Sequence, residues 1–232
     1  MLSNSDAPMP TAERAAPGRP RKLSPEEIVD RAIALVEKDG PQALTMRALG
    51  KALRVQASTI YNYFPSIAAL NEDISRRLLA TVPLPGSMAG VDARAQLLTH
   101  FMAMRTVLAR HPQVLDQVPG SASWIWSLRR LEGELALLSD AGVDPETAIM
   151  AVSVLDVMCS ASAQLAREWN ANQWVSRRKR LFTGMQASEL PHIQAVHERL
   201  IANLPDEQTF RATLETLIDS LLPQLRSRRR KS

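Results

Sequence analysis

The sequence predicts an all-α protein, with a small N-terminal unit of short helices followed by a larger helical domain. Three observations carry this. Ala, Leu, Arg, Glu and Gln are plentiful, which favours helix. Apolar residues recur at three- and four-residue steps between capping residues. Long alternating runs of β-branched residues are missing, and aromatics make up only 4% of the chain. With 232 residues, 45% of them apolar and 22% charged, the chain can bury a real core.

Residues 1–22 are rich in Pro, Ala, Ser and charge without periodicity, and read as a disordered arm. The arm ends in "GRPRK", where Arg19, Arg21 and Lys22 suit either a solvated tail or a reach along a phosphate backbone. Ser24, Pro25 and Glu27 then open a first helix through a capping box. Its stripe is Ile28, Ala32, Leu35 and Val36, and Gly40 ends it. Thr45 caps a second short helix bearing Met46, Leu49, Ala52 and Leu53. After a tight break at Arg54-Val55, a third helix is expected from about Gln56 to Phe64, where Pro65 stops it. Ser66 caps a fourth that runs to about Ala80. These elements form a unit over 23–82, with a linker at 83–90 ("PLPGSMAG").

The larger domain spans 91–226, with helices near 91–110, 112–118, 121–140, 145–170, 190–203 and 206–226. Asp92, Ser121, Asp144 and Asp206 are its candidate caps. Residues 171–189 carry no clear pattern, and 227–232 form a basic tail. The only cysteine, Cys159, rules out an intramolecular disulfide and sits among apolar residues, as a buried small side chain would. No signal peptide or uncharged membrane-length run stands out, so the expected location is cytoplasmic with no membrane partner. A helical enzyme is disfavoured: no zinc-ligand spacing, glycine-rich phosphate loop or G-x-S-x-G occurs.

The segment around "QASTIYNYF" is the informative one. On a helical wheel Ile60 and Phe64 share one side, while Ser58 and Asn62 point away, flanked by Thr59 and Tyr61. A plain surface helix would spend that face on Lys and Glu. Neutral donors and acceptors suit base edges and phosphates instead. A capped helix, a tight turn and this second helix together make a helix-turn-helix over about 45–64, with Arg47 beside the groove. A formal charge of +4 and a pI of about 9.6 permit a polyanionic partner.

The stretch from Ser24 to Leu79 resembles the DNA-binding domain of TetR-family transcriptional regulators. The likeness lies in "ALTMRALGKALRVQASTIYNYFPSIAAL", with its Leu-Thr-x-Arg opening, Leu-x-Val turn and Thr-Ile-Tyr-x-Tyr-Phe recognition helix. The resemblance implies base or phosphate contacts from Arg47, Ala57, Ser58, Tyr61 and Tyr63, and a grip on backbone by Thr45 and Thr59. Gln56 and Asn62 complete the expected double-stranded operator surface. Two departures stand out. Arg54 occupies a turn position where Gly is usual, so a conventional turn is an alternative there. Ile67 replaces a phosphate-binding Lys at the start of the fourth helix.

The same resemblance implies a C-terminal domain that dimerises and encloses an effector. "LEGELALLSDAGVDPETAIMAVSVL" is similar to the tetracycline-repressor type. Dimer contacts are expected from the helices near 145–170 and 206–226, the latter through Phe210, Leu214, Leu217, Leu221 and Leu225. Candidate lining of a pocket for a small apolar or amphipathic effector is Phe101, Met102, Met104, Leu108, Trp124, Leu128, Leu155, Met158 and Trp169. Arg105, Gln164 and Asn170 are the candidate polar orienters. His111 falls near that branch's metal histidine, but Pro112 follows and no acidic partner is evident. It is therefore expected to steady a helix end, with no metal or cofactor. The implied function is a dimeric repressor released from operator DNA by a small molecule. The alternative is a constitutive DNA-binding protein with no sensor.

Overall fold

The computed structural model of the chain describes residues 23–111, 114, 121–168, 171–183, 190–202 and 206–225. The basic arm, the tail at 227–232, Trp169, Asn170 and most of the expected 112–118 helix lie outside them.

Ten α-helices are described, and no strand occurs among these residues: α1 Pro25–Asp39, α2 Met46–Leu53, α3 Ala57–Tyr61, α4 Ile67–Leu79, α5 Ala93–Arg110, α6 Ala122–Asp140, α7 Pro145–Glu168, α8 Ala171–Thr183, α9 Pro191–Ala202 and α10 Glu207–Leu221. The expected caps form. Ser24, Thr45, Ser66, Asp92, Ser121, Asp144 and Asp206 each accept a backbone N–H three residues on, at 2.8–3.1 Å. The helix α8 covers part of the stretch that has no clear pattern in sequence.

The turn after α2 keeps a left-handed residue: Arg54 sits at φ 60°, so the conventional turn is not used. Arg54 N–H bonds Lys51 O at 3.2 Å and Val55 N–H bonds Gly50 O at 2.9 Å, which is the Schellman arrangement. It closes α2 at a conformational cost of about 1 kcal/mol for a residue with a Cβ.

One continuous set of buried residues runs from Leu23 to Leu225. Helix α4 joins the two parts of it, packing on α1 through one stretch and on α6 through another. The segment expected as a plain linker is pinned. Gly86 N–H bonds Gln96 Oε1 at 2.8 Å, and Gln96 Nε2 donates to Val91 O at 2.8 Å. Pro85 O lies so close to α6 that a Cβ at Gly133 would approach it to 2.4 Å. Only glycine fits there.

Helices α5, α6 and α7 enclose a polar cluster. Arg130 donates to both oxygens of Glu134 at 2.7 and 2.8 Å, and to both oxygens of Asp156 at 2.8 and 2.7 Å. His100 is fully buried, and its Nδ1 donates to Pro83 O at 2.8 Å. Its bare Nε2 lies 3.6 Å from Glu134 Oε1. Burial pushes His100 down to about 4 and Glu134 up to about 7, Arg130 opposing the latter.

Helix α7 is long and apolar enough to cross a membrane by length and composition. Its inner face, Ala148, Ala151, Val152, Leu155, Cys159 and Ala163, is buried in the core, and mid-helix Asp156 is ion-paired with Arg130. Burial raises the Cys159 thiol to about 12, and its Sγ rests 3.6 Å from Phe101 O. It is the inert small side chain its neighbours imply.

Two outcomes test this account. Arg54→Gly should stabilise the fold by about 0.5–1 kcal/mol, read from denaturant midpoints, because glycine adopts the left-handed turn without Cβ strain. The pH profile of stability tests the cluster. A folded-state pKa below the ordinary 6.5 means His100 stabilises above 6.5 and loses that contribution as pH falls toward about 4. Raised Glu134 has the opposite sign, its contribution being lost as pH rises through about 7. His100→Asn should therefore tilt the profile so that the variant gains stability relative to wild type on acidification. An unchanged slope would show that the imidazole is not held neutral.

Candidate nucleic-acid interface and effector site

The recognition segment is built on two anchors. Ile60 is wholly buried and Phe64 nearly so, both in the core beneath the segment. Around them Gln56, Ser58, Tyr61 and Asn62 are exposed, as are Thr45 and Arg47 from the start of α2. Ala57 and Thr59 are half-buried at the flank. The outer face that the wheel describes is present, on a shorter helix than expected.

Helix α3 ends at Tyr61 rather than Phe64. Ile60 O takes N–H donors from both Tyr63 and Phe64 at 2.9 Å, which tightens the last turn. Pro65 explains why: the residue before a proline is pushed out of the α region, so Phe64 cannot stay helical. Tyr63 is not part of the exposed face. Its ring is half-buried against the core, and its hydroxyl donates to Leu23 O at 2.9 Å. Tyr63 thus clamps the entry to α1, with its proton already committed.

Gly50 was not singled out in sequence, yet it sets the approach of α2 to α3. A Cβ there would meet Val55 O at 2.9 Å and Ala57 N at 3.3 Å. The available signal was a glycine inside a short helix, where it costs about 1 kcal/mol against alanine. Ile67, in place of the lysine, packs partly buried on the core.

Thr45 is doubly placed. Its Oγ1 accepts Ala48 N–H at 3.0 Å, while its side chain stays at the surface beside Arg47. A hydroxyl that accepts a cap bond keeps a proton to donate.

The expected effector lining divides. Phe101, Leu108 and Leu155 are fully or almost fully buried, and Met104 is close to it; Met102 and Met158 pack partly buried against the same core. Arg105 is buried, donating to Ser162 Oγ at 2.8 Å with its guanidinium 5.1 Å from the Phe210 ring centre. It ties α5 to α7 and α10. Trp124 is half-buried, while Leu128 is exposed on α6 and Gln164 on α7. A groove of about 550 Å³ lies elsewhere, between the end of α4, residues 82–87 and α6, and none of these described residues lines it.

His111 is corrected too. Its Nε2 faces an acid after all, Glu37 of α1, at 3.6 Å, so the ring ties the end of α5 to the first helix instead of steadying carbonyls. Burial, opposed by Glu37, lowers its pKa. Glu37 is 74 residues away in sequence, and only folding brings it near.

Residues 28–74 match the family model described as "Bacterial regulatory proteins, tetR family", and residues 87–225 match "Tetracyclin repressor-like, C-terminal domain". An HTH-type transcriptional repressor of Mycobacterium tuberculosis is 28% identical over 216 residues, covering 85% of this chain and 79% of the relative. Among solved structures, the TetR family protein ActR of Streptomyces coelicolor in complex with actinorhodin aligns with a TM-score of 0.67 at 21% identity, covering 87% of this chain and 96% of that one. Another S. coelicolor TetR regulator aligns with a TM-score of 0.69 at 19% identity, covering 88% and 99%. Both share the fold. With its two matched regions together spanning most of the sequence, the chain belongs to the TetR family of bacterial regulatory proteins and is a DNA-binding transcriptional regulator.

Proposed function

We propose that this regulator works as a homodimeric repressor, in the cytoplasm, that a small apolar or amphipathic molecule releases from operator DNA. One observation carries the DNA half of this reading. The exposed face of α3 and its two cap residues holds Gln56, Ser58, Tyr61 and Asn62, all uncharged, over the buried pair Ile60 and Phe64, with Arg47 alongside. Such a face gains little from water alone and matches the donor and acceptor pattern of a major groove. Arg19, Arg21 and Lys22, which precede Leu23 in the sequence, would add phosphate contacts. The DNA-reading unit is then 23–82 and the sensing and pairing unit 91–226.

Pairing rests on α7. Met150, Val154, Val157, Ala161 and Leu165 follow three- and four-residue steps and are all exposed, Val157 to 70%. A stripe of that length on one protomer is a self-complementary surface for a two-fold partner. Helix α10 has less to offer, since Phe210, Leu214, Ile218 and Leu222 are buried in its own protomer. Only Leu217 and Leu221 of its expected stripe are part-exposed.

A dimer reads two half-sites when its recognition helices stand about 34–36 Å apart. An effector that prefers another spacing withdraws the protein, by no more than its differential affinity for the two states. The relative ActR, with the same fold, holds actinorhodin in its crystal structure, which supports a ligand-responsive reading here.

Tyr61→Ala or Arg47→Ala should cost about 1–3 kcal/mol of discrimination between operator and random duplex, measured by competition binding. Equal losses on both duplexes would assign these side chains to phosphates. Val157→Arg should give a folded monomer in sedimentation, with operator affinity lost and weak non-specific binding kept. A variant that stays dimeric would remove α7 from the seam.

A further inference from the structure

The groove at the junction of the two parts has a definite chemical character. Its walls are apolar: Leu79 and Val82 at the end of α4, Pro83 and Leu84 in the pinned segment, and Ile125 and Trp126 of α6. Ile125 is 45% exposed there and adds an accessible aliphatic surface to the wall. Two cations, Arg76 and Arg129, sit at the rim, and no carboxylate lines the space. Arg76 pairs with Asp73 one turn back on its own helix. Arg129 is exposed and makes no ion pair among the described residues. A volume of about 550 Å³ is that of a small-molecule site.

The walls are also held in place. Pro83 and Trp126 both line the groove, and both contact the same buried side chain. His100 donates to Pro83 O at 2.8 Å and stacks on Trp126 with ring centres 6.0 Å apart and planes 22° apart. A cleft whose sides are fixed before the ligand arrives loses little entropy on binding.

We propose that this groove binds a flat amphipathic anion, an aromatic carboxylate or sulfonate, with its rings against Pro83 and Trp126 and its acid group held by Arg76 and Arg129. Guanidinium groups favour planar acids through charge-assisted hydrogen bonds, and the apolar walls select against small inorganic anions. The effect on DNA rests on the effector-released repressor reading. Arg76 and Leu79 belong to the last turn of α4 and Ala80 caps it; the first residue of α4, Ile67, follows the recognition segment by a short turn. A ligand that reseats this end of α4 shifts the helix that carries α3.

The test uses the full-length protein with two fluorescent probes, anilinonaphthalene sulfonate and the uncharged N-phenylnaphthylamine. The sulfonate should bind saturably, one per protomer. Arg129→Gln and Arg76→Gln should each weaken it about five- to tenfold while leaving the neutral probe unchanged. Ala80→Trp, at an exposed position on the groove, should block both probes without lowering the melting temperature. Sulfonate binding that ignores both arginines, or that is lost in Val157→Arg instead, would overturn the site. If the arginines govern the sulfonate but no aromatic anion changes operator affinity, the site stands and the release reading falls. If an aromatic anion releases DNA equally well from wild type and Arg129→Gln, the release reading stands and the site falls.

Discussion

The contact on which the candidate DNA-reading surface depends is the close seating of α2 on the turn that precedes α3. Gly50 leaves room for Val55 O and Ala57 N where any side chain would collide. Arg54 then adopts a left-handed conformation so that two backbone bonds can close α2 in that space. Both features cost stability locally, a glycine in a helix and a Cβ in a left-handed turn. They are offset by the burial of Ile60 and Phe64, which α3 can deliver to the core only at this distance. The neutral outer face follows from that seating.

The second constraint lies deeper. Arg130, Glu134, Asp156 and His100 bring charge into a core formed by α5, α6 and α7. Such a cluster contributes little net stability over an apolar packing, but it tolerates no partial version, because an unpaired buried charge costs several kcal/mol. Its effect is geometric. It fixes the register of α6 against α7, and through His100 it fixes Pro83 and Trp126. The exposed stripe of α7, the ion cluster and the groove beside α4 are therefore tied together by one set of bonds. In the proposed reading, that arrangement would give a ligand at the junction a physical route to both the α7 stripe and α3.

Much of the N-terminal unit was legible. The capping residues, the anchors Ile60 and Phe64, and the exposed positions Arg47, Ser58, Tyr61 and Asn62 follow from spacing and side-chain chemistry, which act over a few residues. The end of α3 was less so, since the influence of Pro65 on Phe64 competes with helical periodicity and wins. The resemblance places Tyr63 among the base or phosphate contacts, and the fold adds a hydrogen bond from its hydroxyl to Leu23, 40 residues earlier. In the larger part, Phe101, Leu108 and Leu155 have the composition of a pocket wall and of a packed core alike. Composition cannot separate the two, and in the folded chain these three side chains are buried.

By itself the sequence determined helical content, where most helices start, and the chemistry of the recognition face, because these depend on local backbone preference and the period of one helix. Only the tertiary structure decided which apolar stripes remain free, that of α7 exposed and that of α10 largely buried, and where a cavity survives. It also brought His111 to Glu37 and Arg130 to Asp156. Such contacts join residues far apart in the chain, and their formation is settled by the packing of whole helices against one another, which no local pattern encodes.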